Sequence, residues 1–235
     1  MAKMGGRRRL KRAYAPRTWK LSRKVRKWTT KPIPGPHNKQ AIPLIFVVRD
    51  YLKYARNARE TKKILNEGCI LVDGKVRRDL RFPVGVMDVI EIPKTKEVFR
   101  ILPDHRARLE LLRIDPKEKN LKLLKIVNKF YVKERKSQLN FHDGSNLLIE
   151  DDYATSDSIL YDFDAKKIKN HIPFKVGKMG YVVRGRNAAR SGKIKEIKSS
   201  GIYNDICVLE AEETFQTLKE YVFAVGGKKS VINLR

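Results

Sequence analysis

The spacing of apolar residues changes from the period of a helix to that of a strand between residues 42 and 92. From Leu44 to Ala55, apolar side chains recur at i, i+4, i+8 and i+11, the spacing of one side of an α-helix. A second short helix is predicted over residues 58–67, and Gly68 suits the left-handed conformation in which helices often end. The pattern therefore predicts two consecutive helices before the first strands.

A β-hairpin is predicted directly after the second helix. The Asp73-Gly74 pair separates residues 70–72 from residues 75–76, and Asp-Gly suits the positive φ angles of a two-residue type I′ turn. Residues 82–85 interrupt the pattern, and residues 87–92 then alternate as a last strand. We expect an α+β unit in which two helices precede a small sheet.

The chain continues mainly with a period of two residues. Between residues 93 and 172, strands are predicted at 97–102, 107–114 and 121–132, and another hairpin has its turn at residues 142–145. Short strands at this spacing are typical of a small barrel.

The charge of the chain indicates a polyanionic partner. There are 53 Lys and Arg against 26 Asp and Glu, which gives a formal net charge of +27. Up to Arg49 the chain has 15 of these cations and no carboxylate, a composition typical of a disordered arm that orders on nucleic acid. We therefore expect that removing residues 1–40 would leave the remaining fold intact. Trp19 and Trp28 in this arm either stack on bases or dock on the protein's own core, and docking is slightly favoured.

Cations recur at positions from which they can reach phosphate. Arg49, Lys53 and Arg56 repeat at i, i+4 and i+7, which places them on one side of the first predicted helix, away from its apolar side. Others lie in the arm, on the second helix, on the hairpin and in a glycine-rich segment near residue 185. The candidate RNA-binding residues are Arg7, Arg8, Arg9, Lys11, Arg12, Arg49, Lys53, Arg56, Arg59, Lys62, Lys63, Lys75, Arg77, Arg78, Arg81, Arg184, Arg186 and Arg190.

Signals for a membrane or an oxidising compartment are missing from the sequence. The longest apolar run, residues 41–48, is far below the roughly 20 residues that span a bilayer, and residues 1–31 contain no signal-peptide core. Cys69 and Cys207 are the two cysteines, so a disulfide framework is not expected. We expect an intracellular protein.

Catalytic and metal-binding motifs are also missing. The four histidines are scattered along the chain, without the spacing of zinc ligands. The spacing of a phosphate-binding loop fails between Gly185 and Lys193, and Ile194 stands where Ser or Thr is required. No nucleophile elbow or other catalytic motif is present. We expect no enzymatic activity, no cofactor, no metal and no small-molecule substrate.

One region reverses the charge of the chain. Between Asn140 and Ala165 there are seven carboxylates and no Lys or Arg. Such a surface does not suit RNA, so this region is either an ordinary solvent-exposed face or a contact for a basic neighbouring protein.

Several motifs resemble known families. The segment Gly68-Cys69-Ile70-Leu71-Val72-Asp73-Gly74-Lys75, with two helices before it and PVGVMDVIEI after it, resembles the small RNA-binding module first named from bacterial ribosomal protein S-four. Residues 174–197 resemble the KOW motif of SH3-like barrels, in which the glycine at the position of Gly192 allows a sharp turn. The MGGRRRLKR and Pro34-Gly35-Pro36-His37 motifs ahead of the module resemble the e-class family of the fourth small-subunit ribosomal protein of archaea and eukaryotes.

This resemblance implies an α+β, multi-domain protein. Its parts would be a basic tail (1–41), an αα-plus-β-hairpin RNA-binding module (42–93), a central β-barrel-like domain (94–172) and a C-terminal SH3-like KOW barrel (173–235). It implies a cytoplasmic, structural constituent of the small ribosomal subunit that binds small-subunit rRNA and neighbouring ribosomal proteins. The acidic region 140–165 is a candidate surface for these neighbours on the ground of its charge. The alternatives are a free-standing RNA-binding chaperone and an RNA-modifying enzyme with the same module, such as a pseudouridine synthase.

Overall fold

The computed structural model describes residues 9–37, 40–132, 136–199, 205–227 and 229–234. In these ranges the chain forms three five-stranded sheets and two two-stranded sheets, with few helical turns. Paired strands run antiparallel throughout. Over the same ranges, no helix has the length and hydrophobicity needed to cross a membrane.

The N-terminal arm is folded onto the protein over residues 9–37. Strands β1 (Leu10–Lys11) and β2 (Trp28–Thr29) pair, and a 3-10 turn at Arg12–Tyr14 follows β1. Trp19 is 3% exposed, its Nε1 donates a hydrogen bond of 3.0 Å to the carbonyl oxygen of Ala41, and its ring lies 5.5 Å from that of Phe46.

The interpretation of the arm as disordered is therefore wrong for these residues. Docking is confirmed for Trp19 but not for Trp28, whose side chain is 46% exposed. Because Trp19 belongs to the main hydrophobic core, deletion of residues 1–40 would remove part of that core, contrary to the expectation from composition.

The helical layer follows strand β3 (Ile42–Pro43) and is shorter than the periodicity predicts. Helix α1 (Leu44–Phe46) continues as a π-helical turn (Val47–Tyr51), and Lys53 adopts a positive φ of 59° that ends it. Lys53 and Arg56 thus lie beyond the helix, and the prediction that they share one helical face with Arg49 is wrong. The cause is tertiary, because residues 44–48 are all buried and the element packs on every side.

Helix α2 (Ala58–Asn66) forms where the sequence predicts it. The side chain of Asn57 accepts a hydrogen bond of 3.0 Å from the backbone N–H of Glu60, and the Glu60 carboxylate accepts one of 2.7 Å from the N–H of Arg56. This reciprocal cap satisfies N–H groups at the start of the helix. At the other end Gly68 has a φ of 73°, as expected of a left-handed terminator.

The first large sheet has the order β5-β4-β7-β8-β9. Its hairpin turn has positive φ angles at both Asp73 (51°) and Gly74 (71°), which confirms the predicted type I′ geometry. The expected boundary between the RNA-binding module and the central domain lies at position 93. This sheet contains strands from both sides of that position. The strands of this region are β3 (Ile42–Pro43), β4 (Leu71–Val72), β5 (Lys75–Val76), β6 (Pro83–Val84), β7 (Val89–Ile92), β8 (Glu97–Pro103) and β9 (Leu109–Arg113), and β3 pairs with β6.

The second large sheet has the order β12-β11-β10-β13-β14 and follows a 3-10 turn at Pro116–Glu118. Its strands are β10 (Leu121–Tyr131), β11 (Ser137–Phe141), β12 (Asn146–Ile149), β13 (Ser158–Asp162) and β14 (Lys167–Ile172). Among the described residues, β12 and β14 stand at its two edges, so strand pairing does not close it into the expected barrel. A small hydrophobic cluster that includes Leu139 and Phe141 forms its own core.

The third large sheet has the order β18-β17-β16-β15-β19. Its strands are β15 (Met179–Val182), β16 (Ser191–Lys198), β17 (Ile206–Glu210), β18 (Thr214–Leu218) and β19 (Val222–Gly226), with a 3-10 turn at Lys219–Tyr221. Gly192 lies inside β16, paired with Gly180, so the expectation that it makes a turn is wrong. A Cβ at Gly192 would lie 2.8 Å from the carbonyl oxygen of Glu210, so the glycine permits close strand packing instead.

Candidate nucleic-acid interface

A groove of about 550 Å³ separates the folded arm from the helical layer. Trp28 and Val25 contribute apolar surface to it, and Asp50 is its carboxylate. The cations that line the groove come from both sides and are Arg12, Arg26, Arg49 and Arg56. The fold therefore brings together cations that are up to 44 positions apart in the chain, from Arg12 to Arg56.

Arg49 is held in place within this groove. Its guanidinium donates hydrogen bonds of 2.9 and 2.8 Å to the carboxylate of Asp50 and lies 5.4 Å from the ring centre of Phe46. The hydrogen bond to Asp50 raises the pKa of Arg49. Because its charge is already paired, Arg49 contributes less net positive potential than the exposed Arg26 and Arg56.

Cations also shape the arm itself. Arg12 donates from Nε to the carbonyl oxygen of Ser22, and Arg23 donates to the carbonyl oxygens of Ala13 (2.8 Å) and Ala15 (3.2 Å). These bonds close the loop between β1 and β2. The exposed Trp28 lines the groove together with these cations, so an aromatic surface and positive charge border the same space.

A shallower groove of about 370 Å³ continues on the other side of Trp28. It is lined by Arg9, Lys31 and Arg81, together with Thr29 and Thr30, which also line the first groove. Arg81 donates a hydrogen bond of 3.0 Å to the carbonyl oxygen of Lys31 and so anchors the arm as well.

The cations of α2 and of the hairpin lie mostly in solvent. Arg59, Lys62 and Lys63 are exposed along one face of α2, as the sequence predicts, and line a surface depression. On the hairpin, Lys75 and Arg78 are exposed. Arg77 is half-buried, with its guanidinium 4.2 Å from the ring centre of Phe82.

Other candidate residues are not brought to these grooves. Lys11 and Lys53 are exposed and line neither groove, and Arg7 and Arg8 lie outside the described residues. Three further candidates lie on or beside the loop between β15 and β16, where two of them sit over aromatic rings. These are Arg184 (5.8 Å from the ring centre of Tyr221), Arg186 and Arg190 (5.6 Å from that of Phe215).

A buried ionic cluster, which the sequence analysis missed, ties the arm to two of the sheets. Lys122 in β10 is 2% exposed, and its Nζ lies 2.7 Å from Asp73, 2.6 Å from Asp88 and 2.9 Å from Asp143. His37 from the arm contacts Asp88 at 2.7 Å. The cluster therefore joins the hairpin turn, the residue before β7, the start of β10 and the turn after β11.

The pKa shifts in this cluster follow from burial and charge. Burial works against the charge of Lys122, but the three aspartates raise its pKa well above the usual value. Burial alone would raise the pKa of Asp88, yet His37 and Lys122 hold it well below its ordinary range. Burial also opposes ionisation of Asp143, whose pKa is lowered by Lys122. Burial and the charge of Asp88 raise the pKa of Asp73 to about 6.

A second buried lysine connects the central and C-terminal sheets. The Nζ of Lys125 donates to the carbonyl oxygens of Lys219 (2.9 Å), Glu220 (2.8 Å) and Val222 (2.7 Å). Burial lowers the pKa of Lys125 to about 8. The available signal for both lysines was the run Leu121-Lys122-Leu123-Leu124-Lys125-Ile126, in which cations interrupt a strand that is otherwise apolar.

Comparison with known proteins covers nearly the whole chain. Three family models match successive segments: the RS4NT (NUC023) domain at residues 4–40, the S4 domain at residues 45–90 and the ribosomal family S4e at residues 95–168. The solved structure of the 30S ribosomal protein S4e from Thermoplasma acidophilum has a TM-score of 0.71 and 31% sequence identity, and the match covers 80% of this chain and 96% of that one.

Curated relatives match over the full length. The small ribosomal subunit protein eS4 of Methanocaldococcus jannaschii is 45% identical, with 100% of both chains covered. That of Methanothermobacter thermautotrophicus is 45% identical over 100% of this chain and 98% of its own, and that of Archaeoglobus fulgidus is 45% identical over 94% of each. This chain therefore belongs to the eS4 family of small ribosomal subunit proteins.

Proposed function

We propose that this chain is a structural component of the cytoplasmic small ribosomal subunit that binds rRNA, without an enzymatic role. The observation that carries the proposal is the groove that the exposed Trp28 lines together with Arg12, Arg26, Arg49 and Arg56. Cations on a folded surface neutralise phosphates and release counterions, and an exposed indole stacks on an unpaired base. Family membership supports the same assignment.

The RNA-binding surface that we propose runs from the arm across the helical layer to the hairpin. Arg9, Arg26 and Arg56 are exposed along its first part, and the cations of α2 and the hairpin extend it. Arg12, Arg77 and Arg81 are half-buried and position the surface, because their side chains also hold the arm or cover Phe82. Arg184, Arg186 and Arg190 form a separate contact on the C-terminal sheet.

We also propose the domain organisation that the resemblance implies. The tail (1–41) and the RNA-binding module (42–93) form the first RNA contact, the central β domain (94–172) links them to the rest, and residues 173–235 form a KOW domain of SH3-like type. The five antiparallel strands β15–β19 and the close packing at Gly192 support the last assignment.

The acidic region is proposed to face neighbouring ribosomal proteins. Of its seven carboxylates, Asp143 and Asp157 are buried and accept hydrogen bonds within the protein. Glu150, Asp151 and Asp152 are exposed in one short loop after β12. A loop of this charge repels phosphate and attracts a basic polypeptide.

The first experiment compares two double variants that lose the same net charge. Arg26→Gln with Arg56→Gln removes two exposed cations from the groove. The control, Lys195→Gln with Lys198→Gln, removes two cations from β16. Each of these lysines already has a carboxylate within 4.0 Å, from Glu210 and Glu196 respectively. Binding to small-subunit rRNA is measured by filter retention over a range of salt concentrations.

The groove variant should bind rRNA more weakly, and its log–log salt slope should fall by roughly 1.4–1.8, since each phosphate contact contributes about 0.7–0.9. The control should keep the wild-type slope. Equal slopes for the groove variant and the wild type would show that the groove does not contact phosphate. Cosedimentation of the wild type with small subunits after a high-salt wash tests the structural role, because a free-standing chaperone would be washed off.

A further inference from the structure

The outer face of strands β10, β11 and β12 carries no charge over six neighbouring positions. Cross-strand partners lie on the same face of a sheet, and the pairing aligns two rows here. The first row is Phe130, Gln138 and Leu148, and the second is Asn128, Asn140 and Asn146. In a chain of which 34% is charged, such a face is unusual, and we call these six residues the hairpin face.

Large apolar side chains on the hairpin face are open to solvent. Phe130 is 54% exposed and Leu148 is 62% exposed, although they lie in the same row, with the partly buried Gln138 between them. The small core of this sheet lies on the other side of the strands, where Leu139 is buried. Among the described residues no strand pairs with the outer edge of β12, so one side of its backbone is available for pairing. A surface with these properties is typical of a contact with another polypeptide.

The charge around the hairpin face selects the kind of partner. Glu150, Asp151 and Asp152 follow β12 directly and are exposed. Lys129, which lies on the opposite face of β10, already forms an ion pair with Asp152. Lys136, the next described cation along the hairpin, has an interaction partner of its own. In sequence, the segment between β10 and β11 carries three cations and one carboxylate (residues 133–136), so charge complementarity for a basic polypeptide is confined to the exposed carboxylates at residues 150–152.

We propose that the hairpin face binds a basic, extended segment of a neighbouring protein in the small ribosomal subunit. The segment places apolar side chains against Phe130 and Leu148, and its backbone bonds to the asparagine and glutamine amides or to the free edge of β12. Its Lys and Arg side chains meet the carboxylates of residues 150–152. This inference rests on the proposed function, since it places the chain within a subunit.

Site-specific photo-crosslinking in assembled subunits tests the proposal. In two variants the full-length chain carries p-benzoylphenylalanine in place of Phe130 or Leu148. In a third variant it replaces Val76, an exposed residue next to Lys75 in the β4–β5 hairpin. Purified small subunits containing each chain are irradiated, and the crosslinked peptides or nucleotides are sequenced. Position 76 reports on the proposed RNA surface, so the two ideas can fail separately.

Crosslinks from positions 130 and 148 should land on one Lys- and Arg-rich segment of another small-subunit protein, while position 76 should crosslink to rRNA. Crosslinks from the hairpin face to rRNA, or none when position 76 reacts, would overturn the inference. Failure of position 76 to reach rRNA would count against the proposed function instead.

A competition experiment with matched variants provides the second measurement. Leu148→Asn and the control Val176→Asn each replace an apolar side chain that is about equally exposed, at 62% and 60%. Each variant competes with the labelled wild type for incorporation into subunits. Leu148→Asn should be disfavoured about tenfold, or about 1.4 kcal/mol, because docking removes the exposed part of the leucine side chain from water. Equal incorporation of the two variants would contradict a docked segment.

Discussion

Replacement of Lys122 by methionine should destabilise the protein more than any surface substitution. Methionine keeps the length and apolar contacts of the side chain but removes the ammonium group that lies within 2.9 Å of Asp73, Asp88 and Asp143. Three carboxylates then share a buried site without their central cation. Removing one partner of a buried ion pair costs about 3–5 kcal/mol, because the remaining charge is left uncompensated.

Denaturant and thermal melts at neutral pH measure this loss. For a chain of this size, a change of 1 kcal/mol moves the melting temperature by roughly 2–4 °C, so Lys122→Met should melt roughly 6–20 °C below the wild type. Lys195→Met is the control, since that lysine is exposed on β16 and its nearest carboxylate is 4.0 Å away. The control should stay within about 0.5 kcal/mol of the wild type.

The pH dependence of the variant tests the electrostatic cause. In the wild type, Asp88 and Asp143 have lowered pKa values, so their contribution to stability is present above the pKa of the unfolded chain and is lost as the pH falls. Without Lys122 these pKa values rise, and protonation relieves the repulsion in the variant. The stability difference should therefore be largest at pH about 7 and shrink towards pH about 4. A loss below about 1 kcal/mol at neutral pH, or a difference independent of pH, would refute the reasoning.

Three further predictions concern single side chains. Trp19→Ala should cost about 3–5 kcal/mol of stability in melts, whereas Trp28→Ala should leave the melt unchanged and weaken rRNA binding by about 1–3 kcal/mol. Gly192→Ala should destabilise the protein by about 1–3 kcal/mol, because the added Cβ would meet a backbone carbonyl oxygen. In the control Gly227→Ala the added Cβ would meet no neighbouring atom, so stability should not change. Lys125→Met should cost about 1–3 kcal/mol, because three buried carbonyls lose their donor; a neutral result in melts would contradict that role.

Local sequence signals were sufficient for the elements that short-range physics determines. The Asp73-Gly74 turn and the end of α2 at Gly68 depend on backbone conformations that few residues adopt, so the residue types indicate them directly. The strand at residues 121–132 was predicted almost to its observed bounds, Leu121–Tyr131, because the turn residues Lys119-Asn120 mark where it begins.

The remaining features depend on contacts between distant parts of the chain. Composition predicts an arm that repels itself, and nothing local to Trp19 indicates that Ala41 and Phe46 will bury its ring. The π-helical turn at Val47–Tyr51 arises where the helix is packed on all sides, which overrides the expected cationic face. The groove cation Arg26 was missed for the same reason, since only the folded arm brings it opposite Arg56.

The contact of His37 with the turn after β11 has a consequence for protein synthesis. The backbone N–H of His37 bonds to the carbonyl oxygen of Asp143 at 2.9 Å, yet the arm leaves the ribosome about a hundred residues earlier, which is roughly 5–20 s at usual rates of elongation. During that interval the arm lacks the partners that later fix its end. The cationic arm of the nascent chain is therefore exposed first, and the hydrogen bond that fixes its end to Asp143 forms last. The arm can thus bind RNA before folding is finished.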